Sequence, residues 1–334
     1  AGMTFGICTL ANDWVYDQVV ALLNSIEVNG GCELPVCILP YDDQLDRLQE
    51  LIRQRPQVQL FHDREIIARW DDFVARIWAP HPDARRRWNA IGSKGIHRMG
   101  THRRLCAFDG PFERFFYMDA DTLLLSSIQP LARWLDTYDW VSYDFQYKHL
   151  AHVYEVASPR LWQVFSPQTL HDQVFCSGFY GSHRGLFSAR QMHEFWQHLS
   201  DGEAEILYPM APDQTILNYL VMRSNVPSVN LAHALSPAER TGNSANSKHF
   251  QRRQGRLYDQ GRPLTYLHYI GIPADCFGQL CRGQNIDVPY RDLFLHYRYH
   301  HSPEQRPRLL ARKRPYQQPK GKLQRLLGKL GLRI

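Results

Sequence analysis

The first sixty residues alternate apolar runs with amphipathic stretches, and this alternation leaves few architectures open. MTFGICTLA is short, apolar and rich in β-formers. The polar pair Asn12-Asp13 follows, and then a helical pattern from about Trp14 to Glu27. LPVCIL ends at Pro40-Tyr41-Asp42-Asp43, DQLDRLQELIRQ has helical periodicity, and VQLFHD supplies a third short strand. This βαβαβ rhythm predicts an α/β fold with a mostly parallel central sheet flanked by helices. In such sheets ligands bind beyond the carboxyl ends of the strands, where Asn12, Asp13, Asp42 and Asp43 are expected.

With 334 residues, 44% hydrophobic and 22% charged, the chain can bury a large core. No apolar run reaches the roughly 20 residues of a membrane-spanning helix and no secretory leader opens the chain, so a soluble, cytoplasmic protein is expected. Seven cysteines, an odd number without a CxxC pair, fit a reducing compartment better than a disulfide scaffold or zinc site. The net charge of +6 is unevenly placed: residues 303–334 hold ten Lys or Arg against Glu304, so the other 302 residues sum to −3. A mildly acidic body argues against nucleic acid as a partner.

Residues 64–92 read as helical pieces broken at Pro80–Pro82, and a helix is expected from Ser93 to Phe108. The chain then enters ERFFYMDADTLLLSSI. Here an apolar strand delivers Asp119 and Asp121 on either side of Ala120, a spacing that on an extended chain puts both carboxylates on one face. Desolvating carboxylates costs several kcal/mol each unless a cation or dense hydrogen bonding compensates. Mn²⁺ or Mg²⁺ is the economical compensation, and because such ions also take phosphate oxygens, a nucleotide diphosphate is the natural third party. A solvated turn at a strand end is the competing structural role.

MDADTLLL after a basic helical segment resembles the DxD element of GT-A glycosyltransferases, particularly family-8 enzymes such as glycogenin and bacterial lipopolysaccharide galactosyltransferases. Other segments agree in order. TLANDWVYDQVVALLNSI resembles that family's first strand and helix, which implies that Thr9, Leu10, Asn12 and Asp13 hold the nucleoside. Arg103 occupies roughly the place of a basic residue that contacts the donor phosphates, and Asp144, ending VSYD, resembles the acid near the donor sugar. FCSGFYG resembles an F-N-x-G segment and brings in Ser177 and Gly178. PDQTILN resembles D-Q-x-x-L-N and puts Asp213 and Gln214 near the transferring sugar. HYIGIP resembles HxxG, which implies that His268 is a third metal ligand and that Gly271 lies at the phosphates. In two places the sequence departs from the pattern. Cys176 stands where the family has Asn, leaving Ser177 as the substitute, and Ala274 replaces a lysine that would neutralise the diphosphate, with Arg103, Lys248, Arg252 and Arg282 as stand-ins.

Each of these residues also has a purely structural reading. Asn12, Asp13, Asp213 and Gln214 could cap helices, Gly178 and Gly271 could be turn glycines, and His268 could be a packed core histidine. The irregular HYRYHH at 296–301 reads as a solvated segment rather than a ligand set.

In the tail, KGKLQRLLGKLGLRI places Leu323, Leu326, Leu327 and Leu330 on one helical stripe with cations around it. That pattern suits an anionic membrane surface, and the alternative is a helix docked on its own domain. The expected division is therefore a GT-A domain over 1–302 and a basic amphipathic tail over 303–334, peripheral on the inner face of the membrane. The expected function is metal-dependent transfer of a sugar from a nucleotide-diphosphate sugar, with UDP as the favoured nucleotide, to a saccharide or lipid-linked hydroxyl acceptor. Retention of configuration is what the family resemblance implies. Asp144, Asp213 and Gln214 are the expected catalytic residues. The rivals are a nucleotidyltransferase, which needs a Gly-rich basic loop that TLANDW lacks, and a catalytically silent nucleotide-sugar-binding protein.

Overall fold

The computed structural model describes residues 4–316. Its central sheet has seven strands: β1 (Phe5–Ala11), β2 (Val36–Pro40), β3 (Val58–Leu60), β4 (Arg114–Met118), β6 (Trp140–Ser142), β7 (Phe179–His183) and β8 (Ser228–Asn230). They lie in the order β3-β2-β1-β4-β7-β6-β8. All neighbours are parallel except β7, which runs antiparallel to both β4 and β6. Helices Tyr16–Gly30, Asp46–Arg53 and Arg64–Trp78 follow β1, β2 and β3, as the sequence rhythm requires.

Continuous apolar strands mean burial on both faces, and the core divides accordingly. Successive residues of β4 enter opposite layers: Phe115 and Tyr117 join one cluster, Phe116 and Met118 the other. A third cluster lies under a two-stranded antiparallel ribbon of β5 (Thr122–Leu124) and β12 (Tyr266–His268). Between β8 and β12, a small antiparallel sheet is formed by β9 (Gln251–Arg253), β10 (Arg256–Asp259) and β11 (Arg262–Pro263). Residues 303–316 belong to this third body: Leu309 packs on it, Arg314 bridges Ile286, and Lys313 pairs with Asp287 at 2.7 Å. This packed stretch begins directly after the boundary read from the sequence at 302, and the leucine stripe of the tail lies outside the described residues.

One local expectation changes. The helix over 93–108 is replaced by turns and a run of 3-10 turns over Met99–Asp109, entered through Arg98 in the left-handed region at φ 51°. Its glycines explain this. Gly92 and Gly95 have φ of 81° and 78°, and a Cβ on Gly100 would lie 2.4 Å from the Tyr41 carbonyl oxygen. In FCSGFYG, only the part from Phe179 onward is strand. The chain from Phe175 to Gly178 is instead held by side chains, as described below.

Among the described residues no helix is long and apolar enough to cross a membrane.

Candidate functional site

Parallel pairing of β1 with β4 brings their carboxyl ends side by side, so the turn after β1 and the acidic triplet after β4 share one edge of the sheet. The triplet is not extended. β4 stops at Met118, and Asp119 turns the chain so that its carbonyl accepts from both the Thr122 amide (3.0 Å) and the Thr122 hydroxyl (2.7 Å). β5 then leaves along β12, whose register sets His268 opposite Thr122, and the Tyr269 amide bonds the Asp121 carbonyl at 2.9 Å. The strand-end turn and the carboxylate pair are therefore the same feature. It is the turn, completed by β12, that brings in the histidine.

His268 Nε2 lies 3.1 Å from Asp121 Oδ1 and 3.9 Å from Asp119 Oδ2. His268 is buried, whereas the two aspartate side chains are about a quarter exposed, at 26% and 25%. Asp121 Oδ1 is a buried atom with no hydrogen bond beyond its ion pair with His268. Ligand atoms of all three residues lie within 4.8 Å of one another. A buried carboxylate oxygen that meets only an imidazole, with a second acid beside it, is a donor set that fits a divalent cation such as Mn²⁺ or Mg²⁺. Removal from bulk water pushes the Asp119 carboxyl up, only partly offset by Arg104, while for Asp121 the same effect is overcome by His268, which holds it below its ordinary value. Burial alone would lower His268. Asp121 and Cys176 instead raise it well above the usual histidine range.

Gly178 closes the back of the cluster. Its carbonyl accepts the Asp119 amide at 2.9 Å, and a Cβ there would stand 2.4 Å from His268 Cε1 and 3.0 Å from Asp119 Oδ2. The preceding residues are clamped from the helix Pro212–Ser224. Asn218 bonds both the amide and the carbonyl of Phe175, at 3.0 and 2.9 Å. Gln214 accepts from the Ser177 amide (3.1 Å) and donates to the His152 carbonyl (3.0 Å). Gln214 and Asn218 thus lie one helical turn apart and grip the same loop. Asp144 holds it from the other side, one oxygen accepting the Cys176 amide at 3.0 Å and the other the Gln146 amide at 2.9 Å.

Burial raises the Asp144 pKa to about 7 despite those two amides. Between the ordinary value of 3.8 and about 7 the folded protein therefore keeps a proton that the unfolded chain has released, so this group's contribution to stability falls as pH rises through that window. Asp144→Asn is expected to gain stability relative to wild type from about pH 5 to about pH 8. Urea-unfolding midpoints at the two ends check this, and a constant difference would refute it.

Arg104, which the sequence reading passed over, is the central cation. It is buried, pairs with Asp213 at 2.8 Å and Asp119 at 3.4 Å, and donates to the Ser177 carbonyl at 2.6 Å. Burial would raise Asp213, but Arg104, Arg98 and His102 bring it down to about 2. Arg103 faces the other way, toward Asp71 at 3.0 Å. Only the side on which each successive residue emerges from the 3-10 turns separates the two arginines, and a pair of adjacent arginines in sequence carries no such signal. Tyr117, also not singled out, donates its hydroxyl to Asp119 Oδ1 at 2.8 Å.

Two cavities meet at this cluster. The first, of about 620 Å³, is lined by Leu10, Asn12, Trp14, Tyr41, Arg98, Arg104, Asp119, Ala120, Asp121 and Ala274 among others. The second, of about 530 Å³, takes in Asp144, Lys148, His149, His152, Cys176, His268 and Gly271, the last with φ of 75°. Not every expected residue reaches them. Asn12 caps the turn after β1 and donates to Asp42, while still lining the first cavity. Asp13 accepts the amides of Arg47 and Leu48 at 3.0 Å each, a capping role. Thr9 is fully buried, its hydroxyl without a partner.

No protein-family model matches the chain, and no curated protein matches its sequence. Its structure is similar to that of WbbM, a bifunctional glycosyltransferase, in the apo state, with a TM-score of 0.55 and 14% identity over 92% of this chain and 52% of that one. It therefore spans about half of WbbM. It is also similar to the galactosyltransferase LgtC in complex with donor and acceptor sugar analogues, with a TM-score of 0.52 and 14% identity over 88% of this chain and 95% of the other. What is shared at this level of identity is the architecture, the GT-A glycosyltransferase fold.

Proposed function

We propose that this chain, built on the GT-A fold, transfers a glycosyl group from a nucleotide-diphosphate sugar, with a UDP-sugar as the favoured donor, to a hydroxyl of a saccharide or lipid-linked acceptor. The observation that carries the reading is the convergence of Asp119, Asp121 and His268 at the junction of two cavities. LgtC, of the same fold, was captured with donor and acceptor sugar analogues. Asp119, Asp121 and His268 would hold the ion. When bound, it supplies Lewis-acid neutralisation of the charge left on the departing diphosphate.

The chain's own residues do the rest. The nucleoside lies in the first cavity against Leu10, Asn12, Trp14 and Tyr41, and Arg98 and Ala274 line the same cavity. Arg98 thus takes the place of the lysine missing there, a role that Arg103, held to Asp71, does not fill. The acceptor enters the second cavity. The reading includes retention of configuration, which the state of the nearby carboxylates supports. Asp144 spends both oxygens on backbone amides and Asp213 is locked to Arg104, so neither is set to attack the sugar or to act as a base. With Gln214 they act as positioning residues that fix the loop Phe175–Gly178 behind the metal ligands.

The test is release of free nucleoside diphosphate from a panel of nucleotide sugars with Mn²⁺. Turnover with a UDP-sugar that EDTA stops is the expected result. Tight binding without turnover across the panel would overturn the reading in favour of a silent binding protein. Residues 317–334 belong to the same reading as a contact to an anionic membrane surface. Truncation after Tyr316, which spares the packed stretch 303–316, is expected to abolish cosedimentation with phosphatidylglycerol vesicles, and unchanged binding would rule out the tail as the membrane contact.

A further inference from the structure

Among the described residues, metal-ligating side chains converge at one other place: His171, Asp172 and His233 have ligand atoms within 4.8 Å of one another. Two separate segments build it. His171 and Asp172 come from the helix Pro167–Gln173, and His233 comes from the short helix Leu231–Ala234 after β8. The two imidazole centroids are 4.7 Å apart, and Tyr147 packs against both, at 4.9 and 4.4 Å.

The hydrogen bonds around the cluster orient its side chains and leave one ring nitrogen of His233 unprotonated. His233 Nε2 lies 3.1 Å from the His171 carbonyl oxygen. A carbonyl only accepts, so Nε2 carries the proton and Nδ1 keeps its lone pair. This second bond from imidazole to backbone is the support that metal-bound histidines ordinarily have. The Gln168 amide holds both Asp172 oxygens, at 2.8 and 2.9 Å. Asp172 Oδ1 is 3.0 Å from His171 Nδ1. That approach repeats the one between His268 and Asp121, in which an imidazole nitrogen and a carboxylate oxygen share a proton that a cation can replace.

We propose that His171, Asp172 and His233 form a second metal site, selective for a zinc-class ion (Zn²⁺, Co²⁺ or Ni²⁺) rather than Mg²⁺ or Mn²⁺. Two imidazoles and one carboxylate favour the late first-row divalent ions, whereas two carboxylates and one imidazole at the first cluster suit the harder ones. The His171 and Asp172 side chains are half-exposed, at 51% each, which leaves water room to complete the coordination. An ion here ties the helix Pro167–Gln173 to the segment after β8 with Tyr147 pressed between them. Tyr147 immediately precedes Lys148 and His149, which line the second cavity.

The test uses the whole chain, stripped with EDTA and titrated with Co²⁺ in excess Mg²⁺, with visible absorption and calorimetry as readouts. One equivalent is expected to persist in Asp121→Asn and to weaken on the order of 100-fold or more in His171→Ala and in His233→Ala. Circular dichroism and melting of the metal-free variants should match wild type, and His171→Ala keeps the carbonyl that His233 binds. Retention of that equivalent in both histidine variants, or its loss in Asp121→Asn alone, would overturn the proposal. Neither readout depends on glycosyl transfer.

Discussion

Asp121→Asn is expected to reduce Mn²⁺-dependent release of nucleoside diphosphate on the order of 100-fold or more. The substitution keeps size and shape, so the turn closed by Thr122 and the ladder to β12 should survive. What it removes is one anionic oxygen, the buried Oδ1 that pairs only with His268. It also removes the charge that holds His268 protonated well above the usual histidine range. In the wild type, Mn²⁺ should raise the melting temperature by mass action, because only the folded chain assembles the three ligands. In the variant that metal-induced shift should vanish. Initial rates across a Mn²⁺ titration, together with thermal melts with and without the ion, read both effects. Wild-type rates at ordinary Mn²⁺ concentrations would mean that the aspartates are no more than a strand-end turn.

Gly178→Ala should be nearly as damaging, although it touches no charge. Its added methyl carbon would sit 2.4 Å from His268 Cε1, closer than non-bonded carbons approach. The histidine cannot simply swing away. It is buried, and its backbone is tied into β12 and bonded at 2.7 Å to the Asn243 carbonyl. Overpacking of this kind costs about 1–3 kcal/mol, and the shift needed to relieve it spreads the three ligands. The expected signature is a raised Mn²⁺ requirement with turnover reduced on the order of 100-fold, at a fold stability that still permits assay. A metal titration of the alanine variant decides the matter, and an unchanged Mn²⁺ requirement would leave Gly178 an ordinary loop glycine.

Much of this was legible in the sequence because burial on both faces of a parallel sheet writes long apolar runs, and β1, β2 and β4 are such runs. The acids after β4 stood out against that background. The geometry that joins them was harder to read. Residues 118–124 form one unbroken apolar-acidic-apolar stretch, and nothing in it announces that β4 ends and β5 begins on the far side of a turn. Capping and binding also use the same residue types, so Asn12 and Asp13 look alike in sequence although one lines the cavity and the other fastens the helix Asp46–Arg53. Arg104 was hidden for a related reason, since which of two adjacent arginines turns inward depends on glycine-driven 3-10 geometry. The pairing of His171 with His233 depends on where the segment after β8 lands, a long-range contact with no local trace.

The ladder between β5 and β12 also bears on how the protein comes into being. His268 is synthesised about 150 residues after Asp121, and it reaches the aspartates only when β12 lies down on β5. A chain emerging from the ribosome thus carries its acidic pair for many seconds before the histidine exists. Assembly of the cluster becomes a late event in maturation, and a truncated product ending before β12 would leave the ribosome without the residue that completes it.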